Sequence, residues 1–327
     1  MSRRDGFTLV ELLVSASILS LVLVAVTQTF MVQNRAYTVV EQSTEAQQNG
    51  RAIAELLERE ARMSGFMVPE AASVCGVDLS TGADTLFLTD AGAIDPEDQT
   101  APNLGAKLGA AYVSATGLQT LTLASLVLDG DPSYDSDGDG NGDSDFRAQA
   151  GVILADFDDP TRGSACGIID VVSAGTKQIQ VDFLTKIGPI PAGHRVIAVP
   201  AHVYQVDPQM QLLRDGVAIA QEVEDLQVAY FFDKDGDGSV TSEATEHPGA
   251  KGAGVPVYAS DAWNHAELRE IRVNVVTRTR DPELQGPAAA PLFQATENRV
   301  FTSTVPDGFR RRVQTLAVRP RNVGGRG

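Results

Sequence analysis

Two stretches of this chain carry carboxylates at alternate positions. Asp135, Asp137, Asp139 and Asp143 fall in one; Asp233, Asp235, Asp237 and Glu243 fall in the other. Glycines interrupt both, at Gly138, Gly140 and Gly142 in the first and at Gly236 and Gly238 in the second. Alternate carboxylates converge on one hard cation only if the chain turns sharply, and glycine allows that turn. Carboxylates crowded into one turn also repel each other, which a bound cation relieves. The chemistry expected is calcium ligation. In the second loop the ligands are Asp233, Asp235, Asp237, a backbone carbonyl near Ser239, and Glu243. In the first they are Asp135, Asp137, Asp139 and Asp143. Magnesium fits less well, because it demands a tighter octahedron. The alternative is a pair of solvated acidic turns, since Asp and Gly favour turns without any metal. Another carboxylate, Glu11, heads a run from Leu12 to Asn34 that contains no charged residue. An ionised acid beside hydrocarbon implies a partner.

The second loop resembles the opening of an EF-hand, with Val240 at the apolar anchor. It departs at the end, where Ala244 takes the twelfth place and the acid comes one residue early, at Glu243. The run Val228 to Gly236 also resembles the strand and Asp-x-Asp-Gly opening of haloacid-dehalogenase-type phosphatases. Asp237 stands where those enzymes have Thr, and no βα alternation follows. Other catalytic signals are missing from the sequence. His194, His202, His247 and His265 form no close metal-binding pair, and no Ser lies in a nucleophile elbow. The aspartates between the glycines of the first loop would repel a phosphate. A non-enzymatic role is expected.

The chain has 327 residues and a net charge of −17. A polyanion repels nucleic acid, so the acidic domain is not expected to bind it. Arg3 and Arg4 should hold the leader in the cytoplasm while the rest is exported. Cys75 and Cys166 lack metal-ligand spacing. Export puts them where thiols oxidise. One disulfide between them is expected, the alternative being two separately buried thiols.

No proline precedes Pro69. A single helix is therefore expected from Phe7 to about Met63. Its first half is apolar nearly all round and long enough to span a bilayer, which takes about 20 residues. In its second half Ala36, Val40, Ser43, Ala46, Gly50, Ile53, Leu57 and Ala61 recur every three or four residues. That stripe should pack on a sheet. Glu55 with Arg59 and Glu58 with Arg62 lie on the opposite face, four apart in the favourable order.

Gly6-Phe7-Thr8-Leu9-Val10-Glu11, followed by Leu12-Leu13-Val14, resembles the signal of type IV prepilins and type II secretion pseudopilins. The resemblance implies cleavage between Gly6 and Phe7 by prepilin peptidase, N-methylation of Phe7, and pairing of Glu11 with a neighbour's amine. Gln48 to Ile53 and Leu56 to Phe66 are similar to the helix end of PilW-type minor pilins and the related J-type pseudopilins. Arg310 to Asn322 resembles the closing strand of PilW-type proteins, with its final Arg-Asn pair.

Beyond Gly65, short β-prone runs alternate with Gly, Pro, Asp, Ser and Thr. Strands are expected at 85–89, 118–128, 151–155, 168–172, 178–184, 195–199, 203–206, 211–214, 226–232, 270–277, 299–304 and 312–318. The fold class expected is α+β, a long N-terminal helix packed on a mostly antiparallel β domain. Residues 1–6 would be the leader, 7–34 the membrane-spanning and filament-core half-helix, 35–65 the amphipathic half, and 66–327 the β domain. The acidic loops lie at 129–145 and 233–243, and the Gly-Gly-Arg-Gly end is expected to fray. The resemblance implies a structural subunit that waits in the inner membrane and then joins other pilins through its helix. Its domain would stand in the periplasm or outside the cell, at or near a pilus tip. A J-type pseudopilin, or a calcium-dependent adhesin on a pilin anchor, is the alternative.

Overall fold

The computed structural model describes residues 8–79, 81–90, 105–109, 112–126, 128, 144–233, 264–282, 296–297, 299 and 307–323. Helix α1, Leu9–Met63, runs for 55 residues. It carries the only interior glycine at Gly50, where an added Cβ would come within 2.8 Å of Gln314 Cγ. The missing side chain lets the helix approach the sheet closely. At the far end Gly65 turns the chain with φ +78°, a conformation glycine adopts freely. The tail returns here: Arg321 N–H donates to Arg62 O at 3.3 Å, and Asn322 Nδ2 donates to Met63 O at 3.3 Å. These donors satisfy carbonyls that a helix end leaves unpaired.

Thirteen strands follow among the described residues. Three form the sheet beneath α1: β11 (Val223–Phe232), β12 (Leu268–Arg278) and β13 (Arg311–Val318), antiparallel and in that order. Val273 of β12 lies opposite Val228 on one side and Leu316 on the other. Side chains alternate across a strand, so Ile271, Val273 and Val275 share one face. That face meets Ile53, Leu57 and Ala61 of α1 in one buried cluster. Complete burial of a side chain such as Leu57 stabilises the fold by about 1.5–3 kcal/mol.

The middle of the chain builds a larger antiparallel sheet. Its path is β1 (Val74–Val77), β2 (Thr85–Thr89), β8 (Val196–Val206), β5 (Gly151–Asp156), β6 (Ser164–Ser173), β7 (Gln178–Phe183) and β4 (Gly117–Thr122). β3 (Ala106–Lys107) and β9 (Leu212–Arg214) pair with β8, and β10 (Val217–Ala220) pairs with β9. Val74, Leu86, Leu88 and Tyr204 of this sheet enter the same core as α1. The two ends of the chain thus make the helix-backed layer, and the middle is joined to it through shared apolar contacts.

The expected α+β architecture is the observed one, with local differences. The apolar stripe is buried only from Ala46 onward; Ala36 and Val40 are exposed and Ser43 is half-buried. β12 and β13 end at Arg278 and Arg311, and Thr277 Oγ1 donates to Ala46 O at 2.9 Å, so the sheet stops at that level. The runs 195–199 and 203–206 are one strand, β8, with Pro200 inside it. Pro200 O accepts from Asp90 N at 3.0 Å, on the side where the neighbour changes from β2 to β3. A residue's N–H and C=O point the same way in a strand, so the lost donor falls in that gap. The run 118–128 stays a strand only to Thr122. β1, β3 and β10 were not expected: each is short, and β10 is largely exposed, so no alternation marks it. The expected strand at 299–304 and the glycine-rich end lie outside the described residues, apart from Arg299.

Candidate functional site

Gly6 and Phe7 lie outside the described residues, which begin at Thr8. Thr8 is the N-cap of α1, in an extended conformation. Its Oγ1 accepts the Glu11 N–H at 3.3 Å. Glu11 Oε2 in return accepts the Thr8 N–H at 3.1 Å and the Thr8 hydroxyl at 2.9 Å. This is a reciprocal capping box, and it sets a carboxylate at the positive end of the helix. In the isolated chain the partner of Glu11 is therefore its own helix terminus. The Thr-x-x-Glu spacing carries this signal in the sequence, and the sequence reading missed it.

The following turns are bare. Leu12, Leu13, Ile18, Leu21, Leu23, Val26 and Phe30 are all exposed. Four hydroxyls among them hide their donors. Ser17 Oγ donates to Leu13 O at 2.8 Å, Ser20 Oγ to Ala16 O at 2.7 Å, and Thr27 Oγ1 to Leu23 O at 2.8 Å. Thr29 Oγ1 donates to Ala25 O at 2.9 Å. Hydroxyls bonded to the preceding turn can enter hydrocarbon with little penalty, whereas unpaired ones cannot. An 18-residue window here has a mean hydropathy of 2.6, enough by length and composition to cross a membrane.

Polar contacts and packing then hold the helix to the domain. Gln42 Nε2 donates to Asp281 Oδ2 at 2.9 Å, and Arg280 Nη2 pairs with Glu45 at 2.7 Å. Of the two charge pairs expected on the outer face, Glu58 and Arg62 form an ion pair. Higher up, Glu60 accepts the Tyr204 hydroxyl and pairs with Arg214 at 2.9 Å.

Cys75 and Cys166 form a disulfide, with Cα atoms 6.2 Å apart. Thus β1, at one edge of the large sheet, is tied to β6, nearer the other edge. Both half-cystines are fully buried.

Of the second loop's expected calcium ligands, Asp233 alone falls among the described residues. It is buried at the end of β11, where its Oδ2 takes Arg269 Nε at 3.1 Å and its N–H donates to Glu267 O at 2.7 Å. Its carboxylate thus already faces a guanidinium. Asp235, Asp237, Ser239, Glu243 and the first loop's Asp135, Asp137, Asp139 and Asp143 lie outside the described residues. The base of the first loop is closed by Asp145, whose N–H donates to Leu126 O at 3.1 Å. Among the described residues, no three His, Cys, Asp or Glu side chains group so as to hold a metal ion. His194, His202 and His265 are each bonded within the fold: to Asp156, to Asp90 and Asp215, and to Val74 O.

Residues 1–27 match the family described as the prokaryotic N-terminal methylation motif. The chain is type IV pilin-like at its N-terminus. The match ends inside the exposed half of α1. A search of curated proteins finds no match. Among solved structures, a type IV-like pilin from Thermus thermophilus is similar at 15% identity, over 54% of this chain and 85% of that one, with a TM-score of 0.24. The α+β architecture rests on α1 and the two antiparallel sheets themselves.

Proposed function

We propose that the protein is a minor pilin, a structural and assembly subunit rather than an enzyme. The observation that carries the proposal is the methylation motif over residues 1–27, set on a helix with two unlike halves. The exposed half needs an apolar surrounding, first lipid and then the same half-helices of other subunits. From Ala46 onward the other half is the backing of a folded domain. In this account prepilin peptidase cuts before Phe7 and the amine is methylated. Glu11 then exchanges its bonds to Thr8 for the amine of a neighbouring subunit. The domain is carried into the periplasm or beyond, at or near the tip of the filament. A PilW-type role in a type IV pilus is favoured by the segments Gln48–Ile53 and Leu56–Phe66 and by the Arg321–Asn322 end, which caps α1. A J-type pseudopilin of type II secretion would share every step up to the machine served, and copurification with one filament or the other separates the two.

The test is Glu11→Ala in the native host. Cleavage should proceed, because the junction is untouched, while incorporation into sheared filaments falls several-fold. Normal incorporation of the variant would overturn the pairing role of Glu11.

A further inference from the structure

The larger sheet ends on β4, which pairs with β7 along one side. Leu123 N–H donates to Lys177 O at 2.8 Å, toward β7, while Thr122 O accepts Gly109 N–H at 2.8 Å on the other side. A residue's N–H and C=O point the same way, and the direction alternates along a strand. Leu118 and Thr120 therefore direct both groups away from β7, and among the described residues nothing bonds to them. Leu118 is 62% exposed, and Thr120 is exposed as well. An edge of this kind is usually guarded by charge, a bulge or burial. β13 carries Arg311 and Arg312, β10 is bulged between Ala218 and Ala220, and β1 is buried. β4 has none of these guards. From Leu108 to Leu128 the chain holds no charged residue at all.

We propose that this edge pairs with the β4 edge of a second copy of the chain, antiparallel, about a two-fold axis at Gln119. In that register Leu118 lies opposite the partner's Thr120, and Thr120 opposite the partner's Leu118. Each opposed pair exchanges two N–H···O bonds, so the contact closes with four. Its ends agree with the strand. Thr122 is already taken by Gly109, and Gly117, with φ +88°, ends the extended run. Charge selects a second copy. Two chains of net charge −17 repel each other wherever their acids meet, and this uncharged edge is a place where they can approach. Asp182 of β7 lies opposite Leu118. In the pair the two Asp182 side chains stand three strand spacings apart, about 14 Å, beyond a Debye length of about 8 Å. The interface is small, so the association is weak. It needs no pilin role, so it stands or falls separately from that reading.

The experiment uses the full chain in mild detergent. Leu118→Cys and Thr120→Cys chains are oxidised alone and as a mixture, and covalent dimer is read by non-reducing electrophoresis. The mixture should cross-link, because directly opposed residues lie about 5.5 Å apart at Cα, within disulfide reach. Either variant alone should not, because its two cysteines are diagonal neighbours about 7–8 Å apart. Thr120→Pro in the Leu118→Cys chain removes an outward donor and leaves the β7 ladder intact. It should lower the yield about fivefold, the worth of one main-chain bond. Gln119→Asp in both chains opposes two acids at the axis and should also lower the yield. Gln119→Asp against Gln119→Lys should restore it. An unchanged melting temperature shows that each variant folds. A mixture that gives no covalent dimer overturns the proposal. So does an equal yield from Leu118→Cys alone, or from Val171→Cys, an exposed position on β6 that would report random collision.

Discussion

Glu60 of α1 accepts a hydrogen bond from the Tyr204 hydroxyl of β8, joining the helix to the larger sheet. Arg214 of β9 closes the contact from the other side at 2.9 Å. Burial first, and then the adjacent Glu60 carboxylate, hold the Tyr204 phenol well above its usual range, so it remains a donor. The helix is thus fixed to the three-stranded sheet by apolar packing and to the large sheet by a polar lock.

Glu60→Ala should therefore destabilise the domain by about 2 kcal/mol, because it leaves a buried hydroxyl and a half-buried guanidinium without their acid. Glu60→Gln, which can still accept from Tyr204, should lose about half as much. Urea unfolding of a chain beginning at Arg35 checks this. Equal losses for the two variants would show that the hydrogen bond is irrelevant.

Unreduced, denatured protein should expose no labelled thiol, since Cys75 and Cys166 are joined across a separation of 91 residues. A loop of that length stabilises the fold by about 4–5 kcal/mol in the chain-entropy account. Replacing both residues with alanine should lower the melting temperature, and reductant should then have no further effect.

Stability should fall as pH rises from about 6.5 to 9. Burial pushes the His202 imidazole down, but hydrogen bonds to Asp215 and Asp90 outweigh it and hold the group up at about 9. An unfolded histidine titrates near pH 6.5. The contribution is thus complete below about pH 6.5 and gone above about pH 9, on the order of 2 kcal/mol. Asp84 acts in the same direction over a lower range: burial raises its carboxyl to about 8, so the fold favours its neutral form and loses that stabilisation as pH rises to 8. His202→Gln should flatten the decline between pH 8 and 9 in particular. An unchanged slope there would remove His202 as its cause.

These contacts show what the sequence could and could not display. The span of α1, the seat of Ile53, Leu57 and Ala61, and the limits of Thr85–Thr89 were legible, because period and proline placement are local properties. Glu60 drew no expectation of its own, since nothing local announces a tyrosine 144 residues away. The place where the stripe stops being buried depends on where β12 and β13 end, which the helix sequence does not encode. The break expected between 199 and 203 is absent for a related reason: the effect of Pro200 in a strand depends on which neighbour lies beside it. Thr8 was the exception, because its capping spacing was present in the sequence and was passed over.

Calcium at the acidic loops is tested by melting the same Arg35 chain across a calcium titration. Asp233 already pairs with Arg269, so Asp233→Ala would weaken the fold with or without metal. Asp235→Ala with Asp237→Ala is the cleaner variant of the second loop, and Asp137→Ala with Asp139→Ala that of the first. Bound calcium at a hundred times its dissociation constant should stabilise wild type by about 2.7 kcal/mol. The second-loop variant should lose that gain and the first-loop variant should lose any share contributed there. A wild-type melt unmoved at millimolar calcium would make both loops acidic turns.

Processing and assembly of this chain as a pilin are tested most directly by its mature N-terminus. Intact-mass and fragment analysis of protein from the native host should find a chain that begins at Phe7 and carries one extra methyl group on its amine. A chain that keeps Met1 to Gly6, or that begins beyond the apolar run, would contradict the account.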